Sequence, residues 1–176
     1  TDNPAYKQTF TAYVGYKMSD AEITFSEDCF DYTGQPIEPE ITLVHHDEML
    51  TKDTDYTVTY ENNVDTGTAK VIITGMGRYV GTAEAEFTIY AQDISLLDPE
   101  LSQDTVVYNG QERRPAIKAL FSGDYELEEG RDYELTYVGD FKSADTENYV
   151  IIEGRGGFVK SKRLYFTIDK LNLADC

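Results

Sequence analysis

The residues best equipped for chemistry are few, and each has a competing reason to be where it is. His45-His46 is the only histidine pair, and imidazoles are transition-metal ligands. Successive residues of a strand point to opposite faces, so one ion does not readily reach both rings. Asp53-Thr54-Asp55 has the look of the start of a calcium loop, with Glu48 near enough in sequence to add an oxygen. Calcium takes six to eight oxygen ligands, and no stretch here supplies the twelve-residue series that arranges them. Further along, only Asp132 stands in the equivalent place, directly before Tyr133 as Asp55 is before Tyr56. An aspartate that accepts hydrogen bonds from nearby backbone to start a strand explains both occurrences. No cofactor is expected, calcium being the one candidate.

Covalent cross-links are the other chemistry to weigh. Cys29 and Gln35 carry the atoms of a thioester, Thr105 and Gln111 those of an ester, and Lys70 and Asn62 those of an isopeptide. The first two pairs would have to meet inside one short strained loop. Tyr149 and Gly139 stand where the third pair would recur, and no buried acid can be assigned to shuttle the proton. There is no Gly-x-Ser-x-Gly elbow, no His-Glu-x-x-His and no Gly-rich phosphate loop before a helix. The chain is expected not to be an enzyme.

The elements that must position these residues are written twice. Tyr32-Thr33-Gly34-Gln35 returns as Tyr108-Asn109-Gly110-Gln111, and Asp55-Tyr56 with Thr59-Tyr60 as Asp132-Tyr133 with Thr136-Tyr137. Val71-Ile72-Ile73, Gly75, Gly77 and Tyr79 return as Val150-Ile151-Ile152, Gly154, Gly156 and Phe158, and Phe87-Thr88-Ile89 as Phe166-Thr167-Ile168. Within each copy the signal is alternation. Tyr56, Val58 and Tyr60 share a face, as do Tyr133, Leu135 and Tyr137; Ala83, Ala85, Phe87 and Ile89 alternate with Glu84, Glu86 and Thr88. Such strands have one face in a core and one in water. Asn109-Gly110 is a two-residue hairpin signal of type I′, and the glycines at 67, 75, 77, 154, 156 and 157 mark further turns. The expected fold is all-β: two tandem small immunoglobulin-like β-sandwich domains, elongated, over 22–90 and 93–169, with a short linker near Tyr90–Asp93. Residues 1–21 read as the closing strand of a preceding repeat plus a linker, because Phe10, Ala12, Val14 and Tyr16 alternate as the closing strands do. Residues 170–176 read as the start of a following repeat.

Composition narrows the partners. The 176 residues carry 33 acidic and 15 basic side chains, a net charge of −18 that repels phosphate backbones, so nucleic acid is not expected. No stretch approaches the roughly 20 apolar residues that span a bilayer, so no membrane insertion is expected. Two cysteines, Cys29 and Cys176, make no disulfide framework and are expected as free thiols.

The motif series Tyr-x-Gly-Gln, Asp55–Asn63, Gly67–Thr82 and Phe-Thr-Ile resembles the immunoglobulin-like MBG/YDG-type repeats of large Gram-positive surface proteins. The resemblance covers residues 22–169. Copy two departs from it, with Gly139-Asp140 for Asn62-Asn63 and Thr146-Glu147-Asn148 for Gly67-Thr68-Ala69. It implies an extracellular chain attached to the cell wall or surface, whose first partners are neighbouring repeats of the same chain. It implies no ligand.

Two functions of different class then compete: a structural spacer or adhesin stalk, and a binding module for a host protein (an immunoglobulin or glycoprotein) or glycan. A binder needs a desolvatable patch with aromatic or arginine anchors. Copy two is the expected place for one, at Arg113, Arg114, Phe121, Tyr125 and Phe158. Tyr13, Tyr125 and Tyr165 are the tyrosines that alternation turns outward.

Overall fold

The protein is described by a computed structural model covering residues 15–144 and 146–170. It is all-β: among the described residues the only helical segments are two 3-10 turns, Met18–Asp20 and Ile94–Leu96. Among the described residues no helix is long and apolar enough to cross a membrane. The chain divides into two compact units. Of the described residues, one holds 15–26, Glu40–Glu61 and Lys70–Ala85; the other holds Glu27–Pro39, Asn62–Ala69, 86–144 and 146–170. These units do not follow the two sequence copies. The stretch Glu27–Pro39, which belongs to copy one in sequence, lies in the unit that contains copy two.

In the first unit, Glu22–Phe25, Ile41–His45 and Glu48–Met49 form an antiparallel sheet. Tyr56–Glu61 pairs antiparallel with residues 70–75 of the strand Gly67–Gly75, in the register Tyr56↔Gly75 to Glu61↔Lys70. The alternation read from the sequence appears as burial: Val71 and Ile73 are fully buried, and Tyr56 is inward while Thr57 is exposed. With Met18, Leu43, Leu50 and Tyr79 they make one core cluster. Burying each such side chain contributes about 1.5–3 kcal/mol relative to leaving it in water.

In the second unit, the strands Thr105–Val107, Ser161–Asp169, Glu147–Gly154 and Tyr133–Val138 lie side by side in that order. Val106, Phe166 and Ile168 form the centre of a cluster that takes in Leu101, Tyr137 and Phe141. Cys29–Asp31 pairs parallel with the last residues of the strand Thr82–Tyr90, in the register Cys29↔Thr88 to Asp31↔Tyr90. The same pairing recurs as Thr105↔Thr167 to Val107↔Asp169, also parallel. Likewise Tyr16–Lys17 runs parallel to Tyr79–Val80, and Gln92–Asp93 to Phe158–Val159. The Tyr56↔Gly75 hairpin has its counterpart in Tyr133↔Gly154.

Several local expectations need correction. The segment read as a linker is already structural, since Gln92–Asp93 is a paired strand. Pairing in copy one likewise begins before residue 22, at Tyr16–Lys17. Asn109-Gly110 makes no hairpin: only Gly110 has positive φ, +80°, and the strand before it pairs with the closing strand instead. The two-residue hairpin with both central φ positive is His46-Asp47, at 48° and 64°, between Val44↔Met49 and His45↔Glu48. The strand expected over 9–16 lies outside the described residues except for Gly15 and Tyr16, as does the expected next repeat beyond Lys170.

Candidate interaction site

The most elaborate side-chain arrangement surrounds Tyr32 in the second unit. Past the strand Cys29–Asp31 the chain turns a corner that three features shape. The Tyr32 N–H donates to the Tyr90 carbonyl at 2.9 Å, tying the corner to the closing strand. The Gln35 N–H donates to the Thr33 hydroxyl at 3.3 Å. Gly34 sits at φ +68°, which a side chain would strain. The corner places the Tyr32 ring, 8% exposed, edge-on against Phe158 (centroids 5.7 Å apart, planes at 87°) and Tyr125 (6.2 Å, 87°). Aromatic pairs favour this edge-to-face geometry. Two glycines make the approach possible. A Cβ at Gly157 would overlap the Tyr32 ring, and one at Gly34 would overlap the Tyr125 ring.

Polar contacts fix the register. The Gln92 side chain donates from Nε2 to the Tyr32 carbonyl at 2.5 Å and accepts at Oε1 from the Ser122 hydroxyl. Its own N–H donates to the Gly157 carbonyl at 2.9 Å. Behind Tyr125 lies Asp132, a fully buried carboxylate. It accepts from the Tyr125 hydroxyl at 3.2 Å, from the Glu128 N–H at 2.9 Å, and from Arg131 through Nε at 3.1 Å and Nη2 at 2.7 Å. Burial pushes this carboxyl up, but Arg131, the Glu128 N–H and the Tyr125 hydroxyl together outweigh it and hold it below the ordinary carboxylate range. Burial, then the Asp132 charge, raise the Tyr125 phenol, which stays neutral and donating. The cluster therefore holds geometry. Its acid is ionised at neutral pH and accepts from side-chain and backbone donors.

Beside the corner is an open cleft of about 480 Å³, lined among others by Gln35, Gln92, Ser122, Asp124 and Tyr125. The Tyr125 ring is already stacked near-parallel with Phe158 (9°, 6.3 Å) and lies beneath the Arg131 guanidinium at 5.3 Å.

The five residues singled out as a partner patch differ in exposure. Phe158 is 2% exposed, with the Tyr32 and Tyr125 rings packed against it. Tyr125, read as outward, is half-buried, because it sits on a two-strand ribbon with Phe121–Ser122 that folds onto Tyr32. Arg113 is half-buried and its N–H bonds to the Phe141 carbonyl. Arg114 covers the Phe141 and Tyr137 rings, at 4.6 and 5.6 Å, and pairs with Glu112. Phe121 is exposed, and Tyr165 is outward as read.

The chemical candidates have the following surroundings. His46 is a turn residue, so the alternation argument fails there: its ring lies 4.5 Å from that of buried His45. Among the described residues no group of three or more His, Cys, Asp or Glu side chains is placed to hold a metal. Asp53 has φ +63° where Gly130 (φ +88°) stands in copy two, so the position is a left-handed turn residue. The Asp55 carboxylate accepts from the Thr51 N–H at 2.9 Å, as Asp132 does from Glu128, which is the backbone role read from the sequence. Glu48 pairs with Arg78. Cys29 is an exposed free thiol whose hydrogen bond to Asp28 raises it, which weakens it as a nucleophile. The Thr105 hydroxyl meets Thr167 at 3.3 Å, and Lys70 pairs with Glu84 at 2.8 Å.

Sequence reasoning passed over Tyr32, Gln92, Gly157 and Asp132 as a group. The available signal was the repeated Tyr-x-Gly-Gln, together with the double glycine Gly156-Gly157 where copy one has Gly77-Arg78. No family model matches this chain, and no curated protein or solved structure matches it.

Proposed function

We propose that this chain is a non-catalytic, load-bearing segment of a bacterial surface protein, built from two tandem immunoglobulin-like modules that act as a spacer or stalk. One observation carries the reading. In each copy the segments where the chain enters pair parallel with segments near its exit: 16–17 with 79–80 and 29–31 with 88–90, then 92–93 with 158–159 and 105–107 with 167–169. Pulling on the two ends of such a module slides parallel neighbours past one another. All the inter-strand hydrogen bonds are then loaded together, whereas an antiparallel end-hairpin would open them one at a time. Dispersed acids on the outer faces supply the solvated surface a spacer needs. The resemblance to surface-protein repeats, noted from the motifs, supports the same reading and a location outside the cell.

The alternative, a module that captures a host protein or glycan, retains Phe121 and Arg114 as exposed anchors, and no observation unites them. The discriminating experiment exposes the 176-residue chain to serum, mucosal secretions and a glycan array. The spacer reading expects no saturable binding. Saturable binding lost on Phe121→Ala or Arg114→Ala contradicts it.

A further inference from the structure

We propose that the corner Tyr108–Gln111 is a docking element for a further module of this kind, one presenting a glycine and an aromatic ring as Gly157 and Phe158 do to Tyr32. This rests on the modular reading above and names the interface by which such modules join.

Two corners of this kind lie in the same compact unit. They share the motif Tyr-x-Gly-Gln and the same internal construction. The Tyr108 N–H donates to the Asp169 carbonyl at 2.8 Å, as Tyr32 does to Tyr90. The Gln111 N–H donates to the Asn109 side chain at 3.0 Å, as Gln35 does to Thr33. Gly110 has φ +80°, Gly34 φ +68°. Their surroundings differ. Tyr32 is 8% exposed and Tyr108 37%, with Val107 beside it at 51%. A Cβ on Gly34 would strike Tyr125, whereas one on Gly110 meets nothing within 4 Å. The second corner therefore has the shape of the first without the contacts the first makes.

What the first corner touches defines the partner. It needs a glycine where the tyrosine ring lies flat against backbone, an aromatic residue next to it, and an amide side chain to donate to the tyrosine carbonyl, the parts played by Gly157, Phe158 and Gln92. A second copy of this chain does not offer these parts on copy one. There Arg78 replaces the glycine, lying 5.7 and 5.1 Å from the Tyr16 and Tyr79 ring centroids and pairing with Glu48. The arginine fills the place a docking tyrosine would take, so identical chains do not join end to end through it.

Removing either block should make the Tyr108 corner active between molecules. Tyr32→Ala vacates the Gly157 face within its own chain, and Arg78→Gly clears the corresponding face of copy one. Sedimentation velocity, with circular dichroism to confirm that each variant is folded, measures the outcome. Each folded single variant is expected to self-associate at least about tenfold more tightly than the wild-type chain. Adding Tyr108→Ala is expected to return each to wild-type behaviour. The inference is overturned if neither variant associates beyond wild type, or if association survives Tyr108→Ala. The Tyr108 side chain takes no part in the parallel ladders, so that failure would leave the load-bearing reading standing, to be judged by its own response to force.

Discussion

Asp132 shows how one residue can look like chemistry and serve architecture. It is the only acidic side chain among the described residues that is fully buried, and four donors surround it. Truncating it to alanine strands the Glu128 N–H and the Tyr125 hydroxyl, at a cost of about 2–4 kcal/mol in chemical denaturation. The equivalent Asp55 is half-buried with one backbone bond to Thr51, so Asp55→Ala is expected to cost about 0.5–1.5 kcal/mol. The sign of the pH effect follows from the depressed carboxyl. Between the native value and the unfolded one, near 3.9, the unfolded chain binds more protons, so stability rises with pH. The contribution is complete above about pH 5 and is lost as pH falls through the native value. Denaturant midpoints measured from pH 6 down to pH 2 should fall less steeply in Asp132→Asn than in the wild type.

At the scale of elements, the corners and hairpins carry the specificity. Gly34→Ala and Gly110→Ala impose similar backbone strain, since both positions have φ near +70 to +80°. Only the first also pushes a methyl group into Tyr125, so it should cost about 1–3 kcal/mol more than the second, the usual penalty of overpacking. Equal costs would mean that the Tyr32 corner is not docked. The strands were legible because burial imposes period two: Tyr56, Val58 and Tyr60 inward and Thr57 and Thr59 outward needed only one sequence. The turns were less legible. His46 and Asp47 adopt positive φ without a glycine to announce it, because the register of Val44 and His45 on Glu48 and Met49 leaves two residues to reverse the chain. Asn109-Gly110 carried the local signature of a hairpin, yet its preceding strand found its partner at Thr167–Asp169, and tertiary pairing prevailed over local preference. The interior places of Phe158 and Tyr125 were illegible for a related reason. Alternation assigns a face, but which face is covered depends on a corner more than 90 residues away in sequence.

At the scale of the whole molecule, each copy is proposed to bear tension through the parallel segments near its ends. Single-molecule force spectroscopy on the full 176-residue chain, held at its two ends, tests this most directly. Two unfolding events are expected. Val106→Pro, which removes a backbone donor from the strand Thr105–Val107 where it pairs with Ser161–Asp169, should lower the force of one event and leave the other as it was. Phe30→Pro should do the same to the other event, since Cys29–Asp31 is the matching strand. A pair of such copy-specific losses is the result the account predicts. Unfolding forces that neither proline changes, in variants still folded by circular dichroism, would contradict it.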